Sequence, residues 1–143
     1  RLDDDGLLTS PIRVDIASLM RQQGWVYAAR HIRLGNHRFT NDSQISLTST
    51  TLEYLKGVVS PETASFEEQD GILDLTHMYN NFFITDLRFW TSDRVQDYLE
   101  HLSALDGRFW RDGWGDSLIM AQALRVFSKP SHVALLAGLQ FTH

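Results

Sequence analysis

Asp15-Ile16-Ala17-Ser18-Leu19-Met20-Arg21-Gln22-Gln23-Gly24-Trp25-Val26-Tyr27-Ala28-Ala29 decides the fold class. Asp15 is suited to cap a helix, because its carboxylate accepts a hydrogen bond from an amide of the first turn. Ile16, Leu19 and Met20 then recur at helical spacing on one face, and Gly24 is the usual stop. Trp25 to Ala29 follows at once, rich in the aromatic and β-branched residues that suit a strand. A helix feeding directly into a strand is the αβ step of a layered α/β domain.

Downstream, the chain keeps this alternation only in part. Asn36 to Ser46 is polar and loop-like, while Leu47 to Lys56 reads as a helix with Leu52 and Leu55 inward, ended by Gly57. Ser60 to Gly71 is acidic, carries Pro61 and lacks period, which predicts a surface excursion. The last third is better organised. Ser92 or Asp93 caps a helix whose Val95, Tyr98, Leu99, Leu102 and Leu105 share one face, with Gly107 as its end. A second helix starts near Asp116 and carries Leu118, Ile119, Ala123, Leu124 and Phe127 as far as Lys129-Pro130. A strand from Val133 to Leu136 and the run Phe141-Thr142-His143 complete the chain.

With 143 residues, 43% of them hydrophobic and 22% charged, the chain has enough apolar surface to bury a core, and one domain over residues 1–143 is expected. A formal net charge of -5 excludes a general nucleic-acid binder, which needs clustered cations. Lys56 and Lys129 are the only lysines, so arginine supplies the positive charge. Arginine suits local recognition of phosphate or carboxylate. The absence of cysteine removes disulfides, thiolate zinc sites and cysteine nucleophiles. No apolar run approaches a membrane span and no signal peptide is visible. The chain opens at Arg1 rather than at a methionine, as a processed product or a fragment does.

Three features carry candidate chemistry. Asp3, Asp4 and Asp5 crowd three carboxylates into one short turn, either as a solvated acidic terminus or as a holder for a hard divalent cation. His77-Met78-Tyr79-Asn80-Asn81-Phe82-Phe83-Ile84 sets a tyrosine and two amides into an apolar stretch. Buried amides require partners, and these would either satisfy turn backbone or face sugar hydroxyls. Gly107 to Asp116 places two glycines around Trp114, and Asp116 either caps the next helix or presents a carboxylate to a cleft. Trp25, Trp90 and Trp110 are expected to anchor the core. His31 and His37, among Arg30, Arg33 and Arg38, are expected in a solvated loop; His77 either lines a cleft or is buried.

Tyr79-Asn80-Asn81-Phe82, Asp86-Leu87-x-Phe89-Trp90, the helix ending at Gly107, Trp114-Gly115-Asp116 and the late His143 occur in a telling order and spacing. The chain resembles glycosyltransferase family 15, the fungal α-1,2-mannosyltransferases that use GDP-mannose. Arg1-Leu2-Asp3-Asp4-Asp5 looks like the family's metal motif. The resemblance is strong from Tyr79 to Asp116, moderate from Arg1 to Met20 and weak between Arg33 and Leu75. It implies an α/β fold: a GT-A-type, Rossmann-like mixed sheet flanked by helices. The domain would be partial, lacking the N-terminal nucleotide-binding strands.

It further implies that Asp3, Asp5 and His143 hold manganese (Mn2+), and that Asp116, Tyr79 and Asn81 line the reaction centre. The implied reaction is retaining transfer of a hexose, from GDP-mannose in α-1,2 linkage, to a glycan or glycoprotein acceptor in the Golgi lumen. Two departures stand out. Phe83 occupies the place of the family's glutamate, the favoured nucleophile, and Ser10 and Thr76 fall where the fungal enzymes tend to carry cysteines. The resemblance therefore leaves a second reading, an inactive or truncated relative that acts as a binding or structural module.

Overall fold

The computed structural model describes residues 6–30, 32–33, 41–58, 77–78, 80–136 and 141–142. The opening segment forms as expected. Asp15 Oδ1 accepts from Ser18 N at 3.0 Å and starts helix α1 (Ile16–Gln23). Gly24 ends it at φ 69°, with its amide bonded to the Met20 carbonyl. Strand β2 (Tyr27–Ala29) follows, buried at all three positions. Before these lies the short strand β1 (Leu7–Leu8), and after them β3 (Ile32–Arg33).

Helix α2 (Asn41–Val58) corrects the sequence reading. It begins within the stretch expected to be a loop and runs through Gly57 without stopping there. Its inward face is Gln44, Leu47, Thr48, Thr51, Tyr54 and Leu55, whereas Leu52 is exposed. Half of that face is polar, which hid the helical period. The polar groups find partners: Thr51 Oγ1 donates to the Leu47 carbonyl at 2.8 Å and also meets the Tyr98 hydroxyl at 2.8 Å. The excursion expected between Ser60 and Gly71 lies outside the described residues.

The second half runs β4 (His77–Met78), β5 (Phe83–Thr85), α3 (Leu87–Trp90), α4 (Asp93–Ala104), α5 (Arg108–Arg111) and α6 (Asp116–Phe127). A 3-10 turn (Pro130–His132), β6 (Val133–Leu135) and β7 (Phe141–Thr142) follow. Helix α4 buries Val95, Tyr98 and Leu102 and stops at Leu105; Gly107, at φ 65°, opens α5 instead of closing α4. Helix α6 buries the expected Leu118, Ile119, Ala123 and Leu124.

A mixed three-stranded sheet organises the core, in the order β5-β2-β6. Strand β2 is central, antiparallel to β5 and parallel to β6. Alternation along the strands separates two faces. Ala28, Phe82, Ile84, Ala134 and Leu136 pack on one side against Ile16 and Met20 of α1. Tyr27, Ala29, Phe83 and Val133 pack on the other against Leu124 and Met120 of α6 and Phe89 and Trp90 of α3. Beyond α6, a helical layer joins Leu47, Tyr54 and Leu55 of α2 to Tyr98 and Leu102 of α4. The order α1, sheet, α6, then α2 with α4 is a layered α/β arrangement. Two further strand pairs are antiparallel: β3 with β4, and β1 with β7.

Candidate active site

Five residues separate the end of α6 from β6, so the chain reverses there. Because α6 packs across the sheet, its first turn lies at the end where the parallel strands β2 and β6 finish. Strand β5 is antiparallel to β2 and therefore starts at that same end. Asn81, just before β5, lies at that edge of the sheet, and Asp116 is the first residue of the helix that packs across it. The carboxyl ends of parallel strands are where open α/β sheets bind ligands.

Asp116 is exposed, and its Oδ1 accepts from the Ser117 amide at 2.8 Å. Gly115, extended at φ -78° and ψ 161°, holds the N-cap position, so Asp116 is a first-turn acid and not the cap itself. A carboxylate there sits in the favourable field of the helix N-terminus. Asn81 is half-buried in the bend that enters β5. Phe83 points into the core: it is 6% exposed and its ring stacks on Tyr27 with centroids 5.1 Å apart.

Asp3, Asp5, Tyr79 and His143 lie outside the described residues. Their neighbours are informative. Strand β1 pairs with β7 in the register Leu7↔Thr142 and Leu8↔Phe141, which sets these two short strands side by side. Among the described residues no group of three His, Asp or Glu side chains is placed to hold a metal ion.

The Asp86-Leu87-x-Phe89-Trp90 run is structural. Asp86 caps α3 by accepting from Arg88 N at 2.9 Å, and it accepts from the Arg88 guanidinium at 2.6 and 3.0 Å. These hydrogen bonds from Arg88 hold the Asp86 carboxyl below the usual carboxylate range. Trp90 donates from Nε1 to Thr85 Oγ1 at 2.6 Å, and Thr85 Oγ1 donates to the Val26 carbonyl at 2.7 Å. A groove of about 660 Å³ bordered by Met20, Arg21, Trp25, Asp86 and Arg88 lies beside this pair. It sits where β2 begins and β5 ends, away from Asp116 and Asn81.

Trp25 and Trp90 pack against the core as expected, but Trp110 does not: it is 90% exposed. The sequence carried a signal for this. Trp110 stands among Arg108, Arg111 and Asp112, with glycine at positions 107 and 113 where a buried helical face would need apolar residues. Beside it, Asp112 Oδ2 accepts from Ser46 Oγ at 2.6 Å and Oδ1 from Arg111 Nε at 3.0 Å. These bonds, Ser46 first, keep the Asp112 carboxyl below the usual range.

The layered α/β arrangement around a mixed sheet is that of a GT-A-type fold, as the structural neighbours show. The mannosyltransferase Ktr4p of S. cerevisiae superimposes on the whole chain with a TM-score of 0.81 at 19% identity, the chain covering 39% of it. Its complex with GDP gives 0.82. Core-mannan synthase A from Aspergillus fumigatus, in its Mn/GDP form, gives 0.80, with 41% of that chain covered.

The family model described as glycolipid 2-alpha-mannosyltransferase matches residues 8–143, and the chain belongs to that family. Among its relatives, the probable mannosyltransferase KTR3 of Saccharomyces cerevisiae is 31% identical over 70 residues, 49% of this chain and 17% of the relative. The O-glycoside alpha-1,2-mannosyltransferase homolog 5 of Schizosaccharomyces pombe is 29% identical over 85 residues, 59% of this chain and 20% of the relative. The chain spans only a fraction of the length of the proteins it matches.

Proposed function

We propose that this chain is the C-terminal part of a retaining mannosyltransferase that moves mannose from GDP-mannose onto a glycan hydroxyl in α-1,2 linkage. The observation that carries this reading is the β1–β7 pair, since it puts Leu7 beside Thr142. Asp5 is two residues from Leu7 and His143 is one from Thr142, and consecutive Cα atoms are only about 3.8 Å apart. On this reading, those short separations would let the acidic segment and the terminal imidazole share one cation. Carboxylate and imidazole together form a donor set that suits manganese. Asp3, Asp5 and His143 would hold it, and a cation bound there would compensate charge on the departing diphosphate.

Asp116 and Asn81 would line the ligand-binding edge of the sheet, and Tyr79 is two residues from Asn81 in the sequence. In this scheme Asn81 and Tyr79 orient sugar hydroxyls. The acceptor hydroxyl forms its bond to the anomeric carbon as the bond to the diphosphate breaks, and its proton passes to an oxygen of the leaving group or to Asp116. Same-face attack of this kind needs no protein nucleophile, which agrees with a phenyl ring at position 83. The site of action would be the Golgi lumen, with the anchor elsewhere in the protein; among the described residues no helix is long and apolar enough to cross a membrane.

Phe83 also favours the second reading, a scaffold that has lost transfer. Calorimetric titration of the full-length protein with GDP-mannose, with and without manganese, separates the two. Metal-dependent binding with release of GDP supports the transferase. Absence of any metal-dependent nucleotide binding leaves the binding or structural module.

A further inference from the structure

Trp110 is the largest apolar side chain left in solvent, 90% exposed, while Trp114 four positions on is 2% exposed. Burying a large apolar side chain is worth about 1.5–3 kcal/mol, so the exposure is a cost the fold bears at this position. The indole is nevertheless held in place. It rides on α5, where Arg111 N bonds the Gly107 carbonyl at 2.9 Å and Asp112 N the Arg108 carbonyl at 2.8 Å. Asp112 ties that turn to α2 through Ser46. Gly113, at φ 68°, lets the chain pass so close to α2 that an added Cβ would stand 3.2 Å from Ser43 Oγ. The result is a flat aromatic face on a fixed turn, the pre-organisation that lowers the entropy lost on binding.

Beside it opens a groove of about 480 Å³ whose other walls are Asp42, Ser43, Ser46, Arg111 and Asp112. That volume lies within the range of small-ligand sites, roughly 300–1,000 Å³, which combine an aromatic wall with a few polar groups. We propose that this groove is a carbohydrate subsite: the apolar face of a pyranose stacks on Trp110 while its hydroxyls exchange hydrogen bonds with the carboxylates, the serine hydroxyls and Arg111. The charge balance selects this ligand. Asp42 and Asp112 are offset by Arg111, bonded to Asp112 at 3.0 Å, and by Arg108, 3.9 Å from it, so no net charge draws an anion in and a neutral polyol finds both donors and acceptors. Resting on the transferase reading, the subsite would hold a residue of the acceptor glycan remote from the transfer point, because Gly113 leads directly into Asp116 at the ligand edge of the sheet.

The test is a titration of the 15N-labelled full chain with mannotriose, without donor or metal, following the indole N–H signals. The Trp110 signal, identified by its absence in Trp110→Ala, should move saturably while the Trp114 signal stays. Trp110→Ala, with its Trp114 signal unchanged as proof of folding, should bind mannotriose about tenfold more weakly, the loss that ~1.4 kcal/mol of stacking represents. A stationary Trp110 signal overturns the proposal. So does a shift that follows protein concentration instead of sugar, which would mean self-association, or equal affinity in the variant. Neither donor turnover nor metal enters the readout, so an inactive transferase leaves this result intact and a failed titration leaves the transferase reading intact.

Discussion

The ring of Phe83 stacks on that of Tyr27, with centroids 5.1 Å apart and planes 22° from parallel, inside the cluster that α6 closes over the sheet. Tyr27 has no exposed surface and Phe83 only 6%. A carboxylate at position 83 would therefore be desolvated against an aromatic face. Phe83→Glu should lower stability by about 3 kcal/mol or more, from lost packing and a buried acid. The sign of its pH dependence follows. Burial raises the new carboxyl above its unfolded value of about 4.3, so the folded state binds more protons and stability falls as pH rises through that value. Urea melts of Phe83→Glu and the non-titrating Phe83→Gln at several pH values check this, and GDP release from GDP-mannose should not rise in the variant.

Tyr98 and Thr51 give a second contrast. Thr51 Oγ1 has one proton, and the Leu47 carbonyl 2.8 Å away takes it, so the Tyr98 hydroxyl is the donor in the 2.8 Å contact between them. Tyr98→Phe removes that donor and leaves Thr51 bonded, at a cost of about 1 kcal/mol; Thr51→Val strands a buried hydroxyl, at about 1–3 kcal/mol. The valine variant should be the less stable of the two in denaturant titration. Burial also pushes the Tyr98 phenol up to about 12 from the ordinary 10.0. Between those values the folded chain keeps a proton that the unfolded chain releases. This contribution to stability is full below pH 10 and is lost as pH rises toward 12, a fall that Tyr98→Phe should lack.

Gly24 tests the αβ step itself. At φ 69° it ends α1 with its amide on the Met20 carbonyl, and an added Cβ would meet nothing within 4 Å. The cost of Gly24→Ala is then conformational alone, about 1–2 kcal/mol. Gly24→Asn should lose less, because asparagine tolerates the left-handed region. Equal losses would mean that packing, not backbone, is at stake.

What the sequence disclosed tracks where local signals act. Helices α1, α4 and α6 announced themselves through their apolar period, joined in α1 by the Asp15 cap and the Gly24 stop. Helix α2 was legible only over Leu47 to Lys56, and its start read as loop, since Gln44, Thr48 and Thr51 occupy its inward face and break the period. Sheet order was not legible either: β2 finds partners at Phe83–Thr85 and Val133–Leu135, and no local pattern records pairing over such separations. Of the candidate site, the position of Asn81 at the end of the sheet where β2 finishes follows from strand pairing that emerged only with the fold. Trp110 leaves the core because Arg108, Arg111 and Asp112 deny its turn a continuous apolar face.

The β1–β7 pair links the proposed metal site to the stability of the fold. If Asp3, Asp5 and His143 share a cation, binding spans the β1–β7 pair and stabilises whatever that pair holds together. Saturating manganese at about 100 times its dissociation constant adds ~2.7 kcal/mol to the folded state, which should raise the melting temperature of the protein. Asp3→Ala and His143→Ala should each abolish most of that rise and weaken metal-dependent turnover, while melting in the absence of metal stays cooperative and nearly unchanged. Leu7→Pro offers an independent arm. Proline disfavours strand pairing through its fixed φ and missing amide proton, so a variant with a loosened β1–β7 pair and intact ligands should also lose manganese stabilisation. Retention of the full manganese effect in all three variants would remove the end-to-end site from the scheme and leave Asp116 and Asn81 as an edge without its metal.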